Sequence, residues 1–294
     1  MLRQRAIEEA VNKLQMNTTS MALKEALPGS EEGSSLAAHV LASGSQGNAT
    51  LITYKDTCIL VDAGISARRI TQGLKELGLS LNQLAGICIT HEHTDHMAGL
   101  PQLLKQCDVP VYTREGTMRE IVNRKGLTSK AFSVITKSSF TLGDLQVDTF
   151  RTSHDAADPM GLCCYGGAHK ITFMTDTGLV DDTMLKHMDD SDLLVLEANY
   201  DPQMLKYGPY PYDLKRRVAS PYGHLSNEHA AQALLMMKRP ADLQVILAHR
   251  SEKNNAQPVV ADTVMTALQA EGLEVNKDVR LYHGQPKEKV SIHA

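Results

Sequence analysis

The chain has 294 residues, 42% of them hydrophobic, enough to bury a large core in one domain or two fused halves. A net charge of −4, a pI near 6.3, no tryptophan and only 4% aromatics exclude a globally basic nucleic-acid binder and argue against an aromatic stacking platform for single strands. The odd set of five cysteines has no Cys-x-x-Cys pair, which fits a reducing, cytoplasmic setting; no apolar run reaches membrane-spanning length, and the N-terminus lacks a secretory core.

Residues 1–35 read as an extension apart from the rest. Ile7, Val11 and Leu14 have helical spacing, and Pro28 to Ser35 is a linker by composition. The domain, 36–294, opens at Ala38–Ile52 as strand, tight Gly/Ser/Asn turn and strand. Cys58–Val61 is a strand that ends in Asp62. An acid there is the ordinary cap of a following helix, expected near Ala67–Leu77. The run Gly86-Ile87-Cys88-Ile89-Thr90 reads as a buried strand, and Leu100, Leu103 and Leu104 behind Pro101 read as a helix face.

Between that strand and that helix stands His91-Glu92-His93-Thr94-Asp95-His96. Its His91 and His93 are two apart, so on extended backbone both rings point to the same side. Asp95 and His96 come where the chain turns and can face a second point nearby. Imidazoles and a carboxylate are ligands that Zn²⁺, Mn²⁺ or Fe accept. A lone histidine would be a solvated polar residue; three with an aspartate, directly after a core strand, read as a metal site at the carboxyl end of a sheet.

This His-x-His-x-Asp-His stretch resembles the metal-binding motif of the metallo-β-lactamase superfamily. The resemblance implies a four-layer αββα sandwich, α/β in class, with two central mixed sheets. It makes Asp62 a residue that orients a ligand histidine. It also implies further ligands in fixed order along the chain, and His154 and Asp176 occupy the third and fourth places. Asp176 follows the strand Lys170–Thr175, and His249 follows the strand Leu243–Ala248. The implied set is His91, His93 and His154 on one divalent ion and Asp95, His96 and His249 on a second, with Asp176 bridging. The ions are Zn²⁺ or Mn²⁺, which N/O ligands suit alike. Two close cations lower the pKa of a bridging water and clamp both oxygens of an in-line displacement.

Lactam, lactone and thioester hydrolases share those ligands, so the substrate must be argued from elsewhere. Two features favour phosphodiesters. His224 precedes a helix expected at Ala230–Lys238, where free amides suit a phosphate. Lys215, Arg216 and Arg217 form a local basic cluster, with a solvated loop as the plain alternative. Asp95 and His224 are the candidates for direct catalytic roles. An imidazole can carry a proton near neutral pH, and the competing role for His224 is a helix cap, beside Ser226 and Asn227.

Spacing separates the branches. Ribonuclease Z-like enzymes carry a long tRNA-gripping arm between the third and fourth motifs, and His154 and Asp176 lie too close for one. The nuclease branch with a large domain before the last motif needs more chain than 176–249 supplies. Residues 38–256 are similar to the WalJ (YycJ) subfamily, through Leu41–Asn48, Thr90–His96, Ser153–Pro159, Gly223–Asn227 and Leu247–His249. That resemblance implies a 5′-to-3′ exonuclease on duplex DNA, linked to repair. One departure is Tyr200, where relatives are expected to carry histidine. The competing readings are an RNA-processing phosphodiesterase or small-ester metallohydrolase on the same fold, and a metal-free scaffold.

Overall fold

The computed structural model describes residues 35–294. The expected N-terminal helix and tether, apart from Ser35, lie outside the described residues. Two seven-stranded mixed sheets form the body. The first has strands β1 (Ala37–Ala42), β2 (Ala49–Tyr54), β3 (Thr57–Val61), β4 (Leu84–Cys88), β5 (Val111–Thr113) and β6 (Phe132–Val134) in chain order. The C-terminal strand β14 (Val290–His293) returns to pair antiparallel with β1. In the second, β7 (Ser139–Leu142), β8 (Leu145–Arg151), β9 (Met160–Gly166), β10 (His169–Met174), β11 (Leu193–Glu197), β12 (Leu243–Ala248) and β13 (Val279–His283) also follow chain order. In each sheet the parallel half, β3 to β6 or β10 to β13, continues into an antiparallel half.

Side-chain alternation explains the layering. In β3, Ile59 and Val61 point into the space between the sheets, while Cys58 and Leu60 point outward. The inner set meets Leu162, Ile171, Phe173 and Val195 of the second sheet. The outer set meets Ile70 and Leu74 of the helix Ala67–Glu76. Leu194, Leu196 and Val245 face outward from the second sheet onto Leu234 of the helix Asn227–Met236 and Val260 and Val264 of the helix Gln257–Ala270. Strands buried on both faces read as continuous apolar runs, which makes them legible in the sequence. The result is the expected αββα sandwich.

The segment after the histidine motif departs from a single helix. It forms one turn at Thr94–Met97 and another at Leu100–Leu103, broken at Gly99. The break is enforced by close approach: Gly99 N donates to Ala63 O at 2.7 Å, and a Cβ at Gly99 would stand 2.0 Å from Ile65 O. Strands β6 and β9 and the last two strands, β13 and β14, have no counterpart among the sequence-based expectations.

Candidate metal centre

Every expected ligand comes from the carboxyl end of a strand or the loop after one, at one edge of the sandwich. Asp62 follows β3, the histidine motif follows β4, His154 follows β8, Asp176 follows β10 and His249 follows β12. Three of these turns are strained. Asp62, Asp176 and His249 have φ of 60°, 56° and 53°, the left-handed region that non-glycine residues seldom enter.

The side chains form two groups. In the first, His91, His93 and His154 offer nitrogens within 4.8 Å of one another. His154 Nε2 lies 3.2 Å from His93 Nδ1, and its Nδ1 donates to Gly223 O at 2.8 Å, which frees Nε2 as a ligand atom. In the second, Asp95 Oδ2 stands 3.5 Å from His96 Nε2 and 3.3 Å from His249 Nε2. Asp176 sits between the groups: Oδ1 is 3.7 Å from His154 Nε2, and Oδ2 is 3.2 Å from His96 Nε2.

Two atoms test whether a cation fits. His91 Nε2 and Asp176 Oδ2 are buried polar atoms with no hydrogen-bond partner. An orphan of this kind costs about 1–3 kcal/mol, so a pair aimed into one cluster of donors calls for a positive ligand. The donors are nitrogen and oxygen throughout, which suits divalent ions of the zinc and manganese kind.

Electrostatics point the same way. Burial alone would lower His96 and His249, but Asp176 and the neighbouring carboxylates outweigh it. They hold His96 well above the ordinary imidazole range and lift His249 to about 10. Asp95 and Asp176 are drawn far below the carboxylate range by His96 and His249 in spite of their burial. This is a buried anionic cluster that demands cations, whether protons or metal.

Asp62 is wholly buried, and His96 Nδ1 donates to its Oδ2 at 2.7 Å. Thr90 holds the same carboxylate through its amide at 2.8 Å and its hydroxyl at 2.9 Å. The helix cap is Ser66, whose Oγ accepts from Arg69 N, so the orienting role is the one the geometry supports. His224 is likewise no cap, because Ser226 Oγ accepts from His229 N at 3.1 Å. The expectation that this helix start offers its amides to phosphate needs correction: the amides of Asn227 and His229 are already engaged, by Tyr200 O and Ser226 Oγ. His224 instead reaches the centre through its side chain, with Nδ1 3.6 Å from Asp176 Oδ1.

One residue of the centre escapes the sequence reading. Glu197, wholly buried at the end of β11, takes His224 Nδ1 at 2.8 Å and His249 Nδ1 at 2.9 Å on Oε1. Its Oε2 accepts from Thr177 N at 2.9 Å. The available signal is an acid closing an apolar strand, the same pattern as Asp62 and Asp176. Asn48, in the turn before β2, also reaches His96 Nε2 at 3.2 Å.

The basic cluster is divided. Lys215, Arg216 and Arg217 lie on a helix, Tyr212–Val218, rather than in a loop. Arg217 pairs through Nε with Asp155, the neighbour of His154. Lys215 Nζ donates to Lys206 O at 2.8 Å, and Arg216 lies over the Tyr212 ring, so neither is tied to the histidines. Tyr200, where histidine is the residue to expect from the resemblance, is buried with Leu205 and Val218 and packs the base of this region.

Comparison with known proteins agrees. A model of the beta-lactamase superfamily domain matches residues 57–249. The chain is 35% identical over 255 residues to Exodeoxyribonuclease YycJ of Bacillus anthracis, covering 86% of this chain and 97% of that one. It is 33% identical over 251 residues to Exodeoxyribonuclease WalJ of Streptococcus pneumoniae serotype 2, covering 84% and 93%. The metallo-beta-lactamase fold protein YhfI of Bacillus subtilis superposes with a TM-score of 0.64 at 14% identity, over 87% of this chain and 99% of that one, a likeness of fold alone. The matched span encloses every strand that carries a ligand in the described site, and the chain belongs to the metallo-β-lactamase superfamily, among the relatives of YycJ and WalJ.

Proposed function

We propose that this protein is a metal-dependent exodeoxyribonuclease that digests duplex DNA from the 5′ end. The observation that carries the chemistry is the convergence of two donor groups on one shared carboxylate, Asp176. The DNA substrate rests on the exodeoxyribonucleases YycJ and WalJ, to which the chain is similar over most of its length. The 5′-to-3′ polarity and a place in DNA repair rest on the resemblance of the motifs.

His91, His93 and His154 would hold one divalent ion and Asp95, His96 and His249 the other, with Asp176 between them. Bound there, the two ions would activate water and neutralise charge that builds on a phosphoryl group. The chain's own residues do the rest. Asp62 and Glu197 fix the tautomers of His96 and His249 by accepting from Nδ1, which turns each Nε2 inward. Glu197 does the same for His224 and leaves its Nε2 to meet a phosphoryl or leaving oxygen. Arg217, paired with Asp155, brings guanidinium donors beside His154.

The five cysteines are free, which supports a reducing, cytoplasmic setting. No described helix is long and apolar enough to cross a membrane. End-labelled duplexes, with Zn²⁺ or Mn²⁺ added in turn, test the proposal. Linear duplex DNA should be shortened progressively from the 5′ end. Preferential digestion of a matched RNA, or efficient cutting of covalently closed circles without nicks, would refute it.

A further inference from the structure

The segment between β11 and the helix Asn227–Met236 has a composition unlike the rest of the chain. Four large hydrophobic side chains stand exposed among the described residues, and three are tyrosines of this segment: Tyr207 at 77%, Tyr212 at 73% and Tyr222 at 64%. Such rings give up burial by facing water, and three of them between positions 207 and 222 are a local concentration that calls for a ligand. Among them, over 206–222, stand Lys206, Lys215, Arg216 and Arg217 against the single carboxylate of Asp213, in a chain whose net charge is −4.

The two helices that carry Tyr207 and Tyr212 are held in place. Two short helices, Pro202–Tyr207 and Tyr212–Val218, close over their own small core of Tyr200, Leu205 and Val218. Asp201 caps the first, accepting from Met204 N at 2.8 Å. Two of the rings already carry cations, Lys206 Nζ lying 5.2 Å from the Tyr207 centroid and Arg216 Cζ 5.9 Å from that of Tyr212. One cation covers one face of a ring, and the other face is left to a ligand.

The surface is also fastened to the metal centre. Tyr222 O accepts from Asp155 N at 3.0 Å, Pro221 O accepts from Ser153 Oγ at 2.8 Å, and Gly223 O orients His154. Gly223 packs so closely on the helix before it that a Cβ would stand 2.2 Å from Arg217 O. The backbone of Tyr222 therefore lies against the loop that carries His154, one residue from the carbonyl that sets that histidine.

We propose that Tyr207, Tyr212 and Tyr222 form a stacking surface for unpaired nucleobases at the entrance of the metal centre, with the interleaved lysines and arginines meeting the phosphates. A planar base suits an exposed ring with a neighbouring cation, and aromatic rings grouped with basic side chains can take the bases and the phosphates of one single strand. A 4% aromatic content hides this because the rings are concentrated rather than numerous. The inference rests on the nuclease reading and adds to it: the enzyme grips a strand that has left its complement, at a frayed or tailed end.

The test uses the metal-loaded full chain with oligonucleotides of phosphorothioate backbone, so that binding is read without cleavage. Fluorescence anisotropy compares a single-stranded oligonucleotide, an abasic strand of the same length and charge, and a blunt duplex. The base-bearing strand should bind tightest. Tyr222→Ala, and a Tyr207→Ala/Tyr212→Ala double variant, should each weaken it by about tenfold or more, the usual size of a lost base stack. Tyr222→Phe should bind like wild type. The chain has no tryptophan, so tyrosine emission is readable directly. A single strand should quench it, and should quench less in Tyr222→Phe, where the ring is kept but the fluorophore is gone.

Circular dichroism confirms that the variants are folded. Equal affinity for abasic and base-bearing strands, or wild-type affinity in the alanine variants, overturns the stacking surface. So does failure of the base-bearing strand to bind. A protein partner docking on these tyrosines would show itself as the same result, no preference for bases. The nuclease reading fails by a separate route, when the metal-loaded wild type leaves DNA uncut.

Discussion

Glu197→Gln isolates the part of the centre that only the folded chain reveals. The substitution keeps size and shape but leaves one oxygen able to accept where there were two. In the native protein Oε1 takes two imidazole N–H groups, at 2.8 and 2.9 Å, while Oε2 faces Thr177 N at 2.9 Å and Leu225 N at 3.4 Å. Whichever way the amide turns, its NH₂ confronts donors. At least one buried donor is then unsatisfied, at a cost of about 1–3 kcal/mol, and the charge-assisted bonds to both histidines are weakened. His249 loses its fixed tautomer and part of its basicity as a ligand. Partners of this kind are worth roughly 10- to 100-fold in metal affinity or activity. The assay is metal content by mass spectrometry against a competing chelator, with kcat measured on the reloaded protein. A folded Glu197→Gln variant that keeps wild-type metal affinity and wild-type kcat would refute the reasoning.

Asp176→Ala should lose most bound metal and all turnover, and near-normal metal content would sink the bridging role. His224→Ala should fold and keep its metal while kcat drops roughly 10²- to 10⁴-fold, as for a missing acid–base group; a variant that melts early but cuts normally would return His224 to a structural role. Charge removal at Lys215, Arg216 and Arg217 should weaken DNA binding and flatten the plot of log K against log salt by about one unit for each phosphate no longer neutralised, and an unchanged slope would exclude a phosphate-binding role for all three. Metal affinity should weaken as pH falls. The carboxylates around His96 and His249 favour the charged imidazoles, the latter lifted to about 10, so protons compete with the metal for these two ligands. Because the folded pKa of His249 lies above its ordinary 6.5, its charge also stabilises the metal-free fold below that value and is lost as pH rises toward about 10. Calorimetry of metal binding in buffers of different ionisation enthalpy measures the proton release, and none at neutral pH would contradict the assignment.

The histidine motif is legible in the sequence because its geometry is local. Two residues apart on extended backbone means one side, and a turn after a core strand means a sheet edge. Apolar runs buried on both faces mark most of the strands for the same local reason. His154, Asp176 and His249 need the family's order along the chain, since no spacing within one segment brings them together. Asp62 could cap a helix or orient a histidine; Ser66 takes the cap and His96 takes the carboxylate, a choice made by packing across the sheet. Glu197 shows in the sequence only as an acid closing an apolar strand, because its role depends on His224 and His249 arriving from distant segments at one oxygen. Lys215, Arg216 and Arg217 look like one cluster because they are consecutive. On a helix, consecutive side chains diverge by about 100°, so the three face different surroundings and only Arg217 is paired beside the centre. Sequence alone determined which groups could bind metal and which runs could form strands, since both follow from residue type and short-range spacing. Tertiary structure decided which groups meet, because convergence of chain segments far apart in sequence is a property of the packed sheets and not of any segment by itself.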